Sequence, residues 1–95
     1  MPHVHYETES RRLRLAGDVL DDDLADLREA VARFVERSEG HLMVDLTAVT
    51  ELSESAARHL VEVRTAAGAR GRRLTLLRRH GTPVDEALRS AAASG

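Results

Sequence analysis

Between Leu20 and Val35 the apolar residues fall at 20, 24, 27, 31, 34 and 35, the spacing of one face of an α-helix. Asp21, Asp22 and Asp23 stand where that helix begins, at the positive end of its dipole, and the helix is expected to run to about Arg37 and stop before Gly40. Upstream the period is two. Leu13 and Leu15 alternate with Arg12 and Arg14, which predicts a half-buried strand over residues 11–17 ending at Gly17, and a short strand over "HVHYET" precedes it. Downstream, "LMVDL" at 42–46 is a continuous apolar run, the mark of a central strand in parallel pairing. Residues 55–69 return to helical recurrence with Ala57, Leu60, Val61 and Ala67, and "GARG" at 68–71 ends that helix. "RRLTLLR" at 72–78 reads as a strand. A last helix starts with Thr82 as cap and Pro83 in its first turn, with Val84, Leu88 and Ala91 facing inward. The order β-β-α-β-α-β-α predicts an α/β fold, a mixed sheet with helices packed on it through right-handed crossovers.

Composition narrows what such a fold can do. Ninety-five residues make a single domain, expected to span 1–95, with room for one core and one site. Apolar residues are 42% of the chain and aromatics 2%, so Leu, Val and Ala build the core around Phe34 and Tyr6. So few rings leave no platform for stacking bases or sugars. The absence of cysteine removes disulfides and thiolate metal sites. No segment approaches the roughly 18 apolar residues that span a bilayer, and the N-terminal segment lacks the apolar core of a signal peptide, so the expectation is a cytoplasmic protein away from membranes.

All fourteen basic residues are arginine, a pattern that fits coding bias as well as chemistry. Charge is uneven: residues 1–55 carry thirteen acids and six arginines, and residues 56–95 carry three acids and eight arginines. A net charge of −2 and the missing aromatics speak against nucleic acid as a partner.

Candidate chemistry concentrates at "VDLTAVTELSESAARHLVEV", residues 44–63, where a strand passes through Ser53, Glu54 and Ser55 into a helix. A serine there either caps the helix or presents its hydroxyl where unpaired backbone N–H groups and the dipole accept an anion. Other chemistries lack parts. His3 and His5 could place two metal ligands on one strand face but have no third. Ser55 and His59, four residues apart, lack an orienting group and an oxyanion site. "GARGRR" is not a phosphate-binding loop. Asp21–Asp23 suit a solvated helix start better than an acid–base pair. No catalytic residue, metal or cofactor is expected.

The same stretch resembles the signature of STAS domains, the fold of bacterial anti-sigma-factor antagonists, whose pattern is roughly "DLS.v..iDSSGl..L". Here "DLTAVTELSESAARHL" supplies the Asp-Leu-Thr of the strand end, apolar Val49 and Leu52, and Ser55 at the position of the phosphorylatable serine. "LRLAGDVLDDDLADLREAV" is similar to a second family motif, "l.GeLD..t...l...l", and the resemblance covers about residues 10–90. Ser53 stands where the family usually has Asp, Glu54 where a first serine is common, Ala56 where Gly is common, and Leu20 where Asp is usual.

The resemblance implies a STAS-like mixed sheet of about four strands with about three helices, and a regulator of transcription rather than an enzyme. It implies an anti-sigma factor with serine kinase activity and an opposing serine phosphatase as partners. It implies phosphorylation at Ser55, with Ser53 and Thr50 as lesser candidates, and a partner surface of Asp21, Asp22, Asp23, Ser53, Glu54, Ser55, Ala56, Arg58 and His59. The alternative is a STAS module that is never phosphorylated and acts as a scaffold or a small-molecule sensor.

Overall fold

In the computed structural model, which describes residues 3–7 and 12–94, the elements follow the expected order. They are β1 (His3–Glu7), β2 (Arg12–Val19), α1 (Leu24–Arg37), β3 (Leu42–Leu52), α2 (Glu54–Ala69), β4 (Leu74–Leu77) and α3 (Pro83–Ser94). The strands form one mixed sheet in the order β1-β2-β3-β4, with β1 antiparallel to β2 and the pairs β2–β3 and β3–β4 parallel. Because β2, β3 and β4 are consecutive both in the chain and in the sheet, two right-handed crossovers put α1 and α2 on the same face.

That face is the core. Leu13, Leu15, Val44, Leu46, Leu74 and Leu76 lie against Leu27, Val31 and Phe34 of α1, Leu60 of α2, and Val84 and Leu88 of α3. Each fully buried Leu or Val contributes roughly 1.5–3 kcal/mol of transfer free energy, so this one cluster drives the fold. The alternate strand positions, Arg12, Arg14, Met43, Asp45 and Thr75, form the opposite face.

Strand β3 runs to Leu52, six residues beyond the expected 42–46. The cause is two register shifts against β2. Arg14 pairs with Asp45 but Ala16 with Ala48, and Gly17 pairs with Val49 but Asp18 with Glu51, so β3 carries an extra residue at each place. Buried positions therefore step from Leu46 to Val49 to Leu52, three apart instead of two, and no strand period is visible there. Asp45 supports the first bulge. Its Oδ1 accepts hydrogen bonds from the Thr47 backbone N–H (2.9 Å) and hydroxyl (2.7 Å). Gly17 does not end β2 either. It adopts φ 81° beside the second shift, which glycine does without strain, and the strand continues to Val19.

The helix starts and stops follow from local chemistry. Leu20 precedes a 3-10 turn at Asp21–Asp23 rather than opening α1, and its N–H donates to Asp23 Oδ2 (3.0 Å). Helix α2 closes with the Arg72 N–H donating to the Ala67 carbonyl (2.8 Å) and the Gly71 N–H to that of Gly68 (3.0 Å), with Gly71 at φ 77°. This is the Schellman pattern. Arg72 lies outside β4, which is shorter than the expected 72–78, because its guanidinium donates to the Val35 (3.1 Å) and Ser38 (2.6 Å) carbonyls at the end of α1. Thr82 caps α3 as expected, its Oγ1 accepting from the Asp85 N–H (3.2 Å).

Candidate functional site

The parallel strands β2 and β3 end side by side, with Val19 paired to Leu52 and the Ser53 N–H donating to the Val19 carbonyl (2.9 Å). The chain leaves β2 into Asp21–Asp23 and α1, and leaves β3 into Ser53 and α2, so both helix starts stand on one rim. The carboxyl ends of parallel strands, where helix N-termini gather, are the usual place for sites in α/β sheets.

Three hydroxyls occupy that rim and differ in their bonding. Ser53 is the N-cap of α2, and its Oγ accepts from the Ala56 N–H (3.2 Å). Thr50, the extra residue of the second bulge, donates its hydroxyl to Asp18 Oδ1 (2.5 Å). Ser55 lies in the first turn of α2, half-buried, and its hydroxyl has no hydrogen-bond partner among the described residues. Of the two serines at this junction, Ser53 is the cap, and the Ser55 hydroxyl bonds to no described residue.

The rim that carries Ser55 is rich in acidic residues. Asp18, Asp21, Asp22, Asp26, Glu51 and Glu54 are exposed around the two helix starts. Glu54 pairs with Arg58 one turn on (3.0 Å), a surface contact of exposed side chains that stabilises little. The rim is therefore net negative before any modification.

Of the nine residues expected at the partner surface, eight are exposed or half-buried. Ala56 is the correction: it is 0% exposed and packs in the core beneath the first turn, which is how an alanine there serves the fold rather than a partner. His59 is half-buried and faces α1, and its Nε2 is buried with no hydrogen-bond partner among the described residues. Burial first, and then the charge of Arg28, push its pKa below the ordinary imidazole value, with Glu62 opposing weakly. The His3 and His5 side chains lie outside the described residues. Among the described residues no group of three His, Cys, Asp or Glu side chains is placed to hold a metal.

Asp45 is a polar residue that sequence reasoning had only as part of a motif. It is buried on the sheet face opposite the helices, 3.6 Å from both Arg12 and Arg14. Burial pushes its pKa up, but the Thr47 hydrogen bonds and the two guanidinium groups outweigh it and hold the carboxyl below its usual range. The spacing Asp-x-Thr was the available signal, since an aspartate commonly accepts from the backbone N–H two residues on. Its role is to shape the bulge that carries β3 up to Ser53.

No helix of the described residues is long and apolar enough to cross a membrane. No curated protein matches the chain significantly. A family model described as "Mlab, STAS domain" matches residues 3–95, nearly the whole chain, in accord with the mixed sheet and the strand-to-helix junction at Ser53–Ser55. This chain belongs to the STAS domain family.

Proposed function

We propose that this STAS domain is a regulator of the anti-sigma-factor antagonist kind, switched by phosphorylation of Ser55. In this reading it docks an anti-sigma factor with serine kinase activity onto the rim of Asp21–Asp23 and the start of α2. Phosphate on Ser55 releases that partner, a serine phosphatase resets the domain, and the chain itself catalyses nothing. The setting is the bacterial cytoplasm and the outcome is control of transcription.

The observation that carries the reading is the unengaged hydroxyl of Ser55 in the first turn of α2. The alternatives at the rim are occupied. Thr50 donates to Asp18, so a phosphate there would meet a carboxylate, and Ser53 holds the helix cap. At Ser55 a phosphate adds about −1.5 to −2 charges within reach of the first-turn N–H groups, which tolerate it. The same charge on an already acidic rim must be desolvated in a docked complex or hold the partner off. Losing about 3 kcal/mol weakens binding more than a hundredfold.

Calorimetric titration of wild type, Ser55→Ala and Ser55→Asp against the cognate kinase partner tests this. Ser55→Ala is expected to bind as wild type and resist phosphate transfer, and Ser55→Asp to bind more weakly. Because Glu54 already supplies one charge, the loss is expected to be smaller than in relatives with serine there. Equal affinity for all three, with no phosphate on Ser55 by mass mapping from the native host, would leave the constitutive scaffold as the function.

A further inference from the structure

Strand β4 is the last strand of the sheet, so one of its edges faces away from β3. The groups on that edge follow from the ladder. The Leu42 N–H donates to the Arg73 carbonyl (2.9 Å), and Leu42 pairs with Leu74 in a parallel register that runs unbroken to Asp45 and Leu77. In such a ladder a strand bonds alternate residues of its neighbour, here 73, 75 and 77. The N–H and C=O groups of Leu74 and Leu76 therefore point to the open edge, while their side chains lie in the core. A row of outward backbone groups is a template on which another strand can pair.

One of those outward groups is taken. Arg78, the residue after β4, turns its guanidinium back, and its Nη1 donates to the Leu76 carbonyl (2.8 Å). Nε of the same group donates to Oδ1 of Asp85 (3.0 Å), in the first turn of α3. Asp85 is 3% exposed and is fixed in its turn, with Oδ2 accepting from the Gly81 N–H (3.0 Å) and its own N–H donating to Thr82 Oγ1 (3.2 Å). The guanidinium is thereby fastened between the start of α3 and the edge of β4.

We propose that Arg78, held by Asp85, is a guard that keeps the edge of β4 from pairing with β4 of a second copy of this chain. A second copy fits because the outward groups are self-complementary about a two-fold axis. With Thr75 opposite its own counterpart in an antiparallel pair, Leu74 of each copy faces Leu76 of the other, and the two facing pairs exchange four hydrogen bonds. Two of the four need the Leu76 carbonyls, which Arg78 occupies. A guanidinium on each copy adds repulsion along the same seam. The guard is independent of whether Ser55 is modified.

The test compares the full-length wild type with Arg78→Met and with a double variant that adds Asp85→Asn, so that no buried carboxylate is left without its arginine. Sedimentation over a concentration series reads self-association, and amide exchange followed by NMR locates it. Both variants are expected to self-associate more tightly than wild type by about tenfold or more, the effect of two freed hydrogen bonds. Exchange at the Leu74 and Leu76 amides is expected to slow with it. A folded variant that associates no more than wild type, or a dimer that leaves those two amides unprotected, would overturn the proposal. The unaltered protein supplies a check that no folding defect can spoil. Its Arg78 guanidinium protons are expected to exchange more slowly than those of exposed Arg79 by about tenfold or more, and equal rates would show an arginine too loose to close the edge.

Discussion

Leu60 and Val61 are consecutive on α2 and about 100° apart around it, so their truncation measures which side of the helix the sheet holds. Leu60 is 0% exposed at the centre of the core, whereas Val61 is half-buried at the edge of the groove between α2 and α3. Removing a buried leucine to alanine costs about 2–5 kcal/mol, the lost transfer free energy plus that of the cavity left behind. Val61→Ala removes less buried surface and recovers up to about 0.7 kcal/mol of helix propensity, so its net effect is expected within about 1 kcal/mol. For a domain whose total stability is about 5–15 kcal/mol the first change is severe and the second mild. Urea unfolding followed by circular dichroism reads both, with equal slopes required for the comparison to hold. Each kcal/mol shifts the thermal midpoint by roughly 4–8 °C in a domain of this size. A Leu60→Ala midpoint unchanged from wild type, or an equal cost for Val61→Ala, would mean that the inner face of α2 is wrongly assigned.

Ser53→Ala removes the cap of α2 and is expected to cost about 1 kcal/mol, against less than about 0.5 kcal/mol for Ser55→Ala; equal costs in urea would contradict the division of roles between them. Asp45 has a folded-state pKa below its unfolded value, so its stabilisation is fully present above about pH 4 and is lost as pH falls through the lower folded-state pKa. Asp45→Asn is therefore expected to cost about 1–3 kcal/mol at pH 7, and the gap to wild type is expected to narrow in urea titrations between pH 4 and pH 2. A gap that stayed constant across that range would show that the charge of Asp45 contributes nothing. The affinities of the Ser55 variants complete the set.

The sequence by itself determined the elements whose signals are local. Helical spacing from Leu24 to Val35 and from Ala57 to Ala67, two-residue alternation at Leu13 and Leu15, and the Thr82–Pro83 start were legible because each reports on neighbours one turn or one pleat away, whereas Leu20, which shares the helical spacing, lies outside α1. The junction motif was legible as well, and with it the STAS fold. Tertiary structure decided what depends on a partner strand or helix. The length of β3 depends on bulges that exist only against β2, and they erase the period that would have announced its last six residues. Which hydroxyl is free at the rim depends on Asp18, brought to Thr50 from the neighbouring strand, and on the Ser53 cap, which took shape only with the first turn of α2. The stranded Nε2 of His59 depends on how closely α1 and α2 approach, a distance set by side chains far apart in the chain and so invisible to any local pattern.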